Sequence, residues 1–130
     1  MSTSPTDLPG ESIAVMALNK APLPSAYALT RDNGNAVEAL LDRTGLPAPT
    51  LVPQPDAVHV MLADVDDLAP WLAELEGRIA VTPSAVGLDT WTLHTQLVAN
   101  RRRGAVRIEV HALAVSGQFV LPSVRAAVAS

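Results

Sequence analysis

The sequence predicts a two-layer α+β fold: a mainly antiparallel sheet of about four strands with two or three helices packed on one face. Three observations predict it. Between residues 89 and 114 two stretches alternate apolar and polar side chains with a period of two about a turn. Leu68, Trp71, Leu72 and Leu75 recur at the i, i+3, i+4, i+7 spacing of a helix with one apolar stripe. From residue 56 to 114 the order reads strand, helix, strand, strand, strand, which suits helices on one side of a sheet.

Taken in order, residues 1–11 are rich in Ser, Thr, Pro and Gly without periodicity and are expected to form a disordered tail. Residues 12–130 then make one domain, starting with a short strand or helical turn at 12–18. Pro22 and Pro24 stop that segment, and Ser25 is placed to cap a short helix through Tyr27, Ala28 and Leu29. A separate helix of about ten residues is expected over 35–44, because Val37, Leu40 and Leu41 share a face and Gly45 stands where a helix ends.

Residues 46–55 carry Pro47, Pro49, Pro53 and Pro55, so the expectation is an extended surface connector, neither helix nor central strand. Residues 56–63 read as a strand with Val58, Val60 and Leu62 on one face and His59 and Met61 on the other. Both faces look apolar enough to be buried, as in a central strand, which makes His59 a hydrogen-bonded core residue. Asp66 or Asp67 caps the helix over 67–76; Pro70 is tolerated in its first turn, and Gly77 stops it. Residues 79–82 form the next strand.

The hairpin is the clearest element. Trp91, Leu93, Thr95 and Leu97 face one way, opposed by Thr90, Thr92, His94 and Gln96. On the second strand Val106, Ile108, Val110, Ala112 and Ala114 are opposed by Arg107, Glu109 and His111. The two apolar rows have opposite parity in numbering, so an antiparallel register that buries both must pair residues such as Leu97 with Val106. That register leaves a loop of about four residues, gives Gly104 a positive φ, and sets His94 opposite Glu109. A slip of two residues would set His94 opposite His111 instead. Residues 118–121 offer an edge strand, and Ser123 a cap for a last turn holding Val124 and Ala127.

The chain of 130 residues is long enough to bury roughly two-thirds of its unfolded surface and needs no covalent staple. It has no cysteine, which excludes disulfides, thiolate nucleophiles and cysteine-ligated metals. No apolar run approaches the ~18 residues of a membrane span and no basic n-region precedes residues 13–18, so a cytoplasmic location and no membrane partner are expected. Eight of the nine basic residues are Arg, which fits a GC-rich genome better than a binding task.

Charge is uneven: residues 1–76 sum to −8 and residues 77–130 to +4. Such a dipolar chain could associate head to tail or meet a charged partner. The most concentrated positive charge is Arg101, Arg102 and Arg103 at the hairpin tip, where guanidinium forks could hold phosphate or carboxylate. Three phosphate contacts would give a salt slope of only about −2.7, far below that of a dedicated duplex binder. No aromatic residue stands near the triplet to stack a base.

Asp64, Asp66 and Asp67 suggest a cation site, but they lack the Gly and distal Glu of a calcium loop, and helix capping accounts for them. His94, Glu109 and His111 make a set of two nitrogens and one oxygen on the outer face, a donor set that some metal sites use. No nucleophile elbow, phosphate loop or dinucleotide fingerprint occurs, and Trp71 and Trp91 are read as core. The expectation is therefore a non-enzymatic association module, homo-oligomeric in its simplest form, with no cofactor. Its surface would comprise His94, Gln96, Arg107, Glu109, His111 and the basic tip, with a protein or a second copy as partner. The alternatives are a nucleic-acid accessory protein acting through Arg101, Arg102 and Arg103, and a small ligand-binding protein or enzyme using His94, Glu109 and His111.

Overall fold

The computed structural model describes residues 25–100 and 104–128. The expected tail at 1–11, the segment at 12–18 and the arginine triplet lie outside the described residues. The fold is α+β: helices α1 (Ala26–Thr44), α2 (Leu68–Leu75) and α3 (Pro122–Ala126) accompany strands β1 (Thr50–Pro53), β2 (Val58–Met61), β3 (Arg78–Thr82), β4 (Leu88–Asn100) and β5 (Gly104–Val115).

The strands form one sheet in the order β1-β2-β5-β4-β3, and β2 and β5 run parallel while the other three pairs are antiparallel. The chain makes a hairpin, crosses through α2 to the far edge, and returns by a meander until β5 lies against β2. That return brings residues about 50 positions apart in sequence into register, His59 opposite Glu109 and Met61 opposite His111.

The sheet has five strands where four were expected, and the additional one lies in the proline-rich segment. Thr50–Pro53 pairs with β2 as an edge strand, a position where prolines remove no needed ladder bond. Conversely, residues 118–121 contain no strand; they lead directly into α3, whose first residue is Pro122, so Ser123 is not its cap.

The two short helices expected at the start are one helix of 19 residues. Ser25 caps it as anticipated, its Oγ accepting the Ala28 N–H at 3.0 Å, and Gly45 ends it at φ 71° with its N–H donated to Leu41 O. The helix runs through Asn33 and Gly34, poor helix formers, because tertiary contacts use both. The Asn33 amide donates to Gln54 O and Pro55 O at 3.0 and 3.1 Å, and a Cβ at Gly34 would stand only 3.0 Å from Pro53 Cγ.

Ahead of α2, Asp64 caps a turn of 3-10 helix (Val65–Asp67) by accepting the Asp66 N–H at 2.9 Å, and Asp66 Oδ1 accepts the Leu121 N–H at 3.3 Å. Pro70 sits in the first turn of α2, and the helix ends at Leu75, ahead of the expected stop: Glu76 is its C-cap at φ 62°, donating its N–H to Leu72 O, and Gly77 follows at φ 128°. The Gly77 backbone passes so close to β4 that a Cβ there would lie 2.4 Å from His94 O.

One apolar cluster joins Val37 and Leu40 of α1, Leu68 and Trp71 of α2 and Val124 of α3 to the inward row of the sheet: Val58, Val60, Ile79, Trp91, Leu93, Leu97, Val106, Ile108, Val110, Ala112 and Ala114. All three helices thus close the same face. The hairpin register is the one that burial demands, with Leu97 opposite Val106 and His94 opposite Glu109, and Gly104 has φ 74°. A bulge between Val98 and Asn100 adjusts the end of the ladder, leaving three residues between Asn100 and Gly104.

Candidate functional site

Side chains alternate across a strand, so every residue between two members of the inward row belongs to the outer face. That face holds Val52 from β1, His59 and Met61 from β2, and Arg107, Glu109, His111, Leu113 and Val115 from β5. β4 contributes Leu88, Thr90, Thr92, His94, Gln96 and Val98, and β3 contributes Arg78, Ala80 and Thr82.

Two zones divide it. Around the end of β5 it is apolar: Val52, Met61, Leu88, Leu113 and Val115 are 38 to 59% exposed. A groove of about 480 Å³ runs here, lined by Val52, Gln54, Met61, Leu62, Thr90 and Leu113 and reaching His59 and His111. Toward the hairpin tip the face is polar except for Val98, which is 65% exposed, and the centre of the polar zone is Glu109.

Glu109 is half-buried and its two oxygens have different tasks. Oε2 accepts from the Arg107 guanidinium at 2.9 Å and lies 3.9 Å from His94 Nδ1. Oε1 turns the other way, 3.7 Å from His59 Nδ1 and 3.8 Å from His111 Nε2. Those two ring nitrogens are 3.0 Å apart in a hydrogen bond, and the rings stack with an interplanar angle of 12°. The second nitrogen of His111, Nδ1, is 2.9 Å from Thr92 Oγ1.

Burial holds the His111 imidazole below its ordinary pKa, and the neighbouring His59 adds to that. Glu109 pulls in the opposite direction without prevailing, and His94 contributes a further lowering. His111 is therefore a neutral base near pH 7, with a lone pair on one nitrogen.

Of the residues expected to form the surface, His94, Gln96, Arg107, Glu109 and His111 share the outer face, and the outer row of β4 is exposed or half-buried as anticipated. The set of three donors differs in membership. His94 lies on the Arg107 side of the carboxylate, and it is His59 that faces His111 and Glu109 Oε1. His59 was expected in the core because both faces of its strand look apolar; it is on the outer face, and its neighbour Met61 is 45% exposed. Its alternation with Val58 and Val60 already gave its side. Its partner was missing, because the parallel β2–β5 pair joins segments far apart in sequence.

Arg101, Arg102 and Arg103 lie outside the described residues. The described member of the basic group, Arg107, is engaged with Glu109. Asp64 and Asp66 accept the backbone N–H groups of Asp66 and Leu121, whereas Asp67 stands at the N-cap of α2 without a side-chain capping bond, so neither Asp66 nor Asp67 caps that helix as expected. Trp71 and Trp91 are core residues, 0 and 5% exposed, and Trp71 Nε1 donates to Pro47 O at 2.7 Å. No described helix is long and apolar enough to cross a membrane.

The fold and site define an α+β protein with one closed and one open sheet face. Family models, curated proteins and solved structures provide no match to this chain.

Proposed function

We propose that the protein is a non-enzymatic association module that pairs with a second copy of itself through the outer face of its sheet. The observation that supports this most strongly is the grouping of Val52, Met61, Leu88, Leu113 and Val115 on that face, each more than a third exposed, while the opposite face is closed by all three helices. Leu88 pairs opposite Val115, Leu113 is two residues before Val115 on the same strand, Met61 is opposite His111 on the neighbouring one, and Val52 is opposite His59, two residues from Met61, so the five form a patch. An apolar patch on a strand surface is stabilised by excluding water, and two sheets do this by packing face to face about 10 Å apart.

A second copy fits because a twofold interface needs a surface complementary to itself. Beside the apolar patch Arg107 and Glu109 pair within the chain at 2.9 Å, so this part of the face brings paired signs rather than one sign alone against a rotated copy. Light scattering on the eluting protein tests the reading: a dimer is expected, and Leu113→Asp with Val115→Asp converts it to a monomer with an unchanged circular dichroism spectrum. A wild-type monomer at every concentration would refute it.

A further inference from the structure

We propose that His59, Glu109 and His111 form a binding site for one divalent transition-metal ion of the zinc type, open on one side to the apolar groove. Among the described residues, these three are the set of histidine and acidic side chains whose ligand atoms all lie within 4.8 Å of one another.

The spacing suits an ion. The edges between His59 Nδ1, His111 Nε2 and Glu109 Oε1 are 3.0, 3.7 and 3.8 Å, and a triangle of those edges has a point about 2.0 Å from every corner. That is the distance zinc keeps from imidazole nitrogen and carboxylate oxygen, about 2.0–2.2 Å. Closing the longer edges by a few tenths of an ångström lifts the ion out of the ligand plane toward a tetrahedral position. Two imidazoles and one carboxylate select a borderline ion over calcium or magnesium, which favour oxygen.

The supporting contacts are those a metal site needs. Ligating groups are held by hydrogen bonds on their far side, which fix the tautomer and the aim of the lone pair. Thr92 Oγ1 stands 2.9 Å from His111 Nδ1, and in the tautomer where Nδ1–H donates to Thr92, Nε2 presents its lone pair to the site. Arg107 takes Glu109 Oε2 and leaves Oε1 for the ion. In that tautomer of His111 the metal-free contact has His59 Nδ1–H donating to His111 Nε2, and ligation would move that proton to His59 Nε2 with no change in ring charge. Three protein ligands leave a fourth position, facing the groove lined by Met61 and Leu113, for a bound water.

The site uses ligands of one chain, so it stands or falls separately from self-association. Calorimetric titration of the untagged full chain with Zn²⁺ is the test, with light scattering in parallel to report the oligomer. One ion per chain is expected. His59→Gln and His111→Gln each weaken binding by at least ~100-fold and Thr92→Val by ~10-fold. Histidine ¹⁵N spectra of the wild type, which need no variant to fold, should show Zn²⁺ shifting the rings of His59 and His111 more than that of His94. No uptake by the wild type, equal uptake by the His59→Gln/His111→Gln double variant, or a His94 ring shifted more than those of His59 and His111 would each overturn the assignment.

Discussion

At the scale of single residues, the structure distinguishes positions that resemble one another in sequence. Trp71 and Trp91 are both core, but Trp71 is fully buried and hydrogen-bonded to Pro47 O. Trp71→Ala should cost about 3–5 kcal/mol in urea unfolding, the range for removing a large buried ring. Trp71→Phe should retain most of the packing yet still lose ~1–3 kcal/mol, because the Pro47 carbonyl is left without its donor. Gly45 and Gly77 both follow helices at positive φ, yet a Cβ at Gly45 meets open space and one at Gly77 meets the His94 carbonyl. Gly45→Ala should cost ~1–2 kcal/mol for the left-handed conformation alone, and Gly77→Ala should cost more. Equal losses on denaturation would contradict the close approach described. The histidines were legible to the same degree: parity gave the side on which His59 lies, and no local signal could give its neighbour.

At the scale of elements, boundaries shifted where one element leans on another. The sequence breaks α1 at Asn33 and Gly34 because their intrinsic helix propensity is low. The structure keeps the helix intact because Asn33 ties down the carbonyls of Gln54 and Pro55 and Gly34 admits the Pro53 ring. The same contacts explain why a proline-rich segment expected to be a connector carries strand β1. Asn33→Ala should therefore speed amide hydrogen exchange in β1 and β2 while leaving the centre of β4 and β5 unaffected, and uniform acceleration would show that the amide supports the whole fold instead. The β4–β5 hairpin was legible almost residue by residue, since a one-place slip would have turned both apolar rows outward. Its tip is a test of the association reading: replacing Arg101, Arg102 and Arg103 by Ala should leave the dimer mass unchanged, because the proposed interface is the opposite end of the face, around Leu113. Loss of the dimer in that variant would move the interface to the basic tip.

At the scale of the whole molecule, the fold class and the helix-covered face were readable from period and order, but the strand order was not. The parallel contact of β2 with β5 depends on a crossover through α2 followed by a meander, and no residue pattern within either strand encodes it. That contact joins His59 to Glu109 and His111 and assembles the apolar patch from β1, β2, β4 and β5. Outer-face residues Leu113 and Val115 extend the second strand's polar row with apolar side chains, which gives the open face its two zones. The most direct measurement of the central claim is sedimentation equilibrium of the untagged chain across a wide concentration range. A species at twice the 13.6 kDa chain mass, dissociated by Leu113→Asp, is the predicted result. A single species at the chain mass throughout would contradict it.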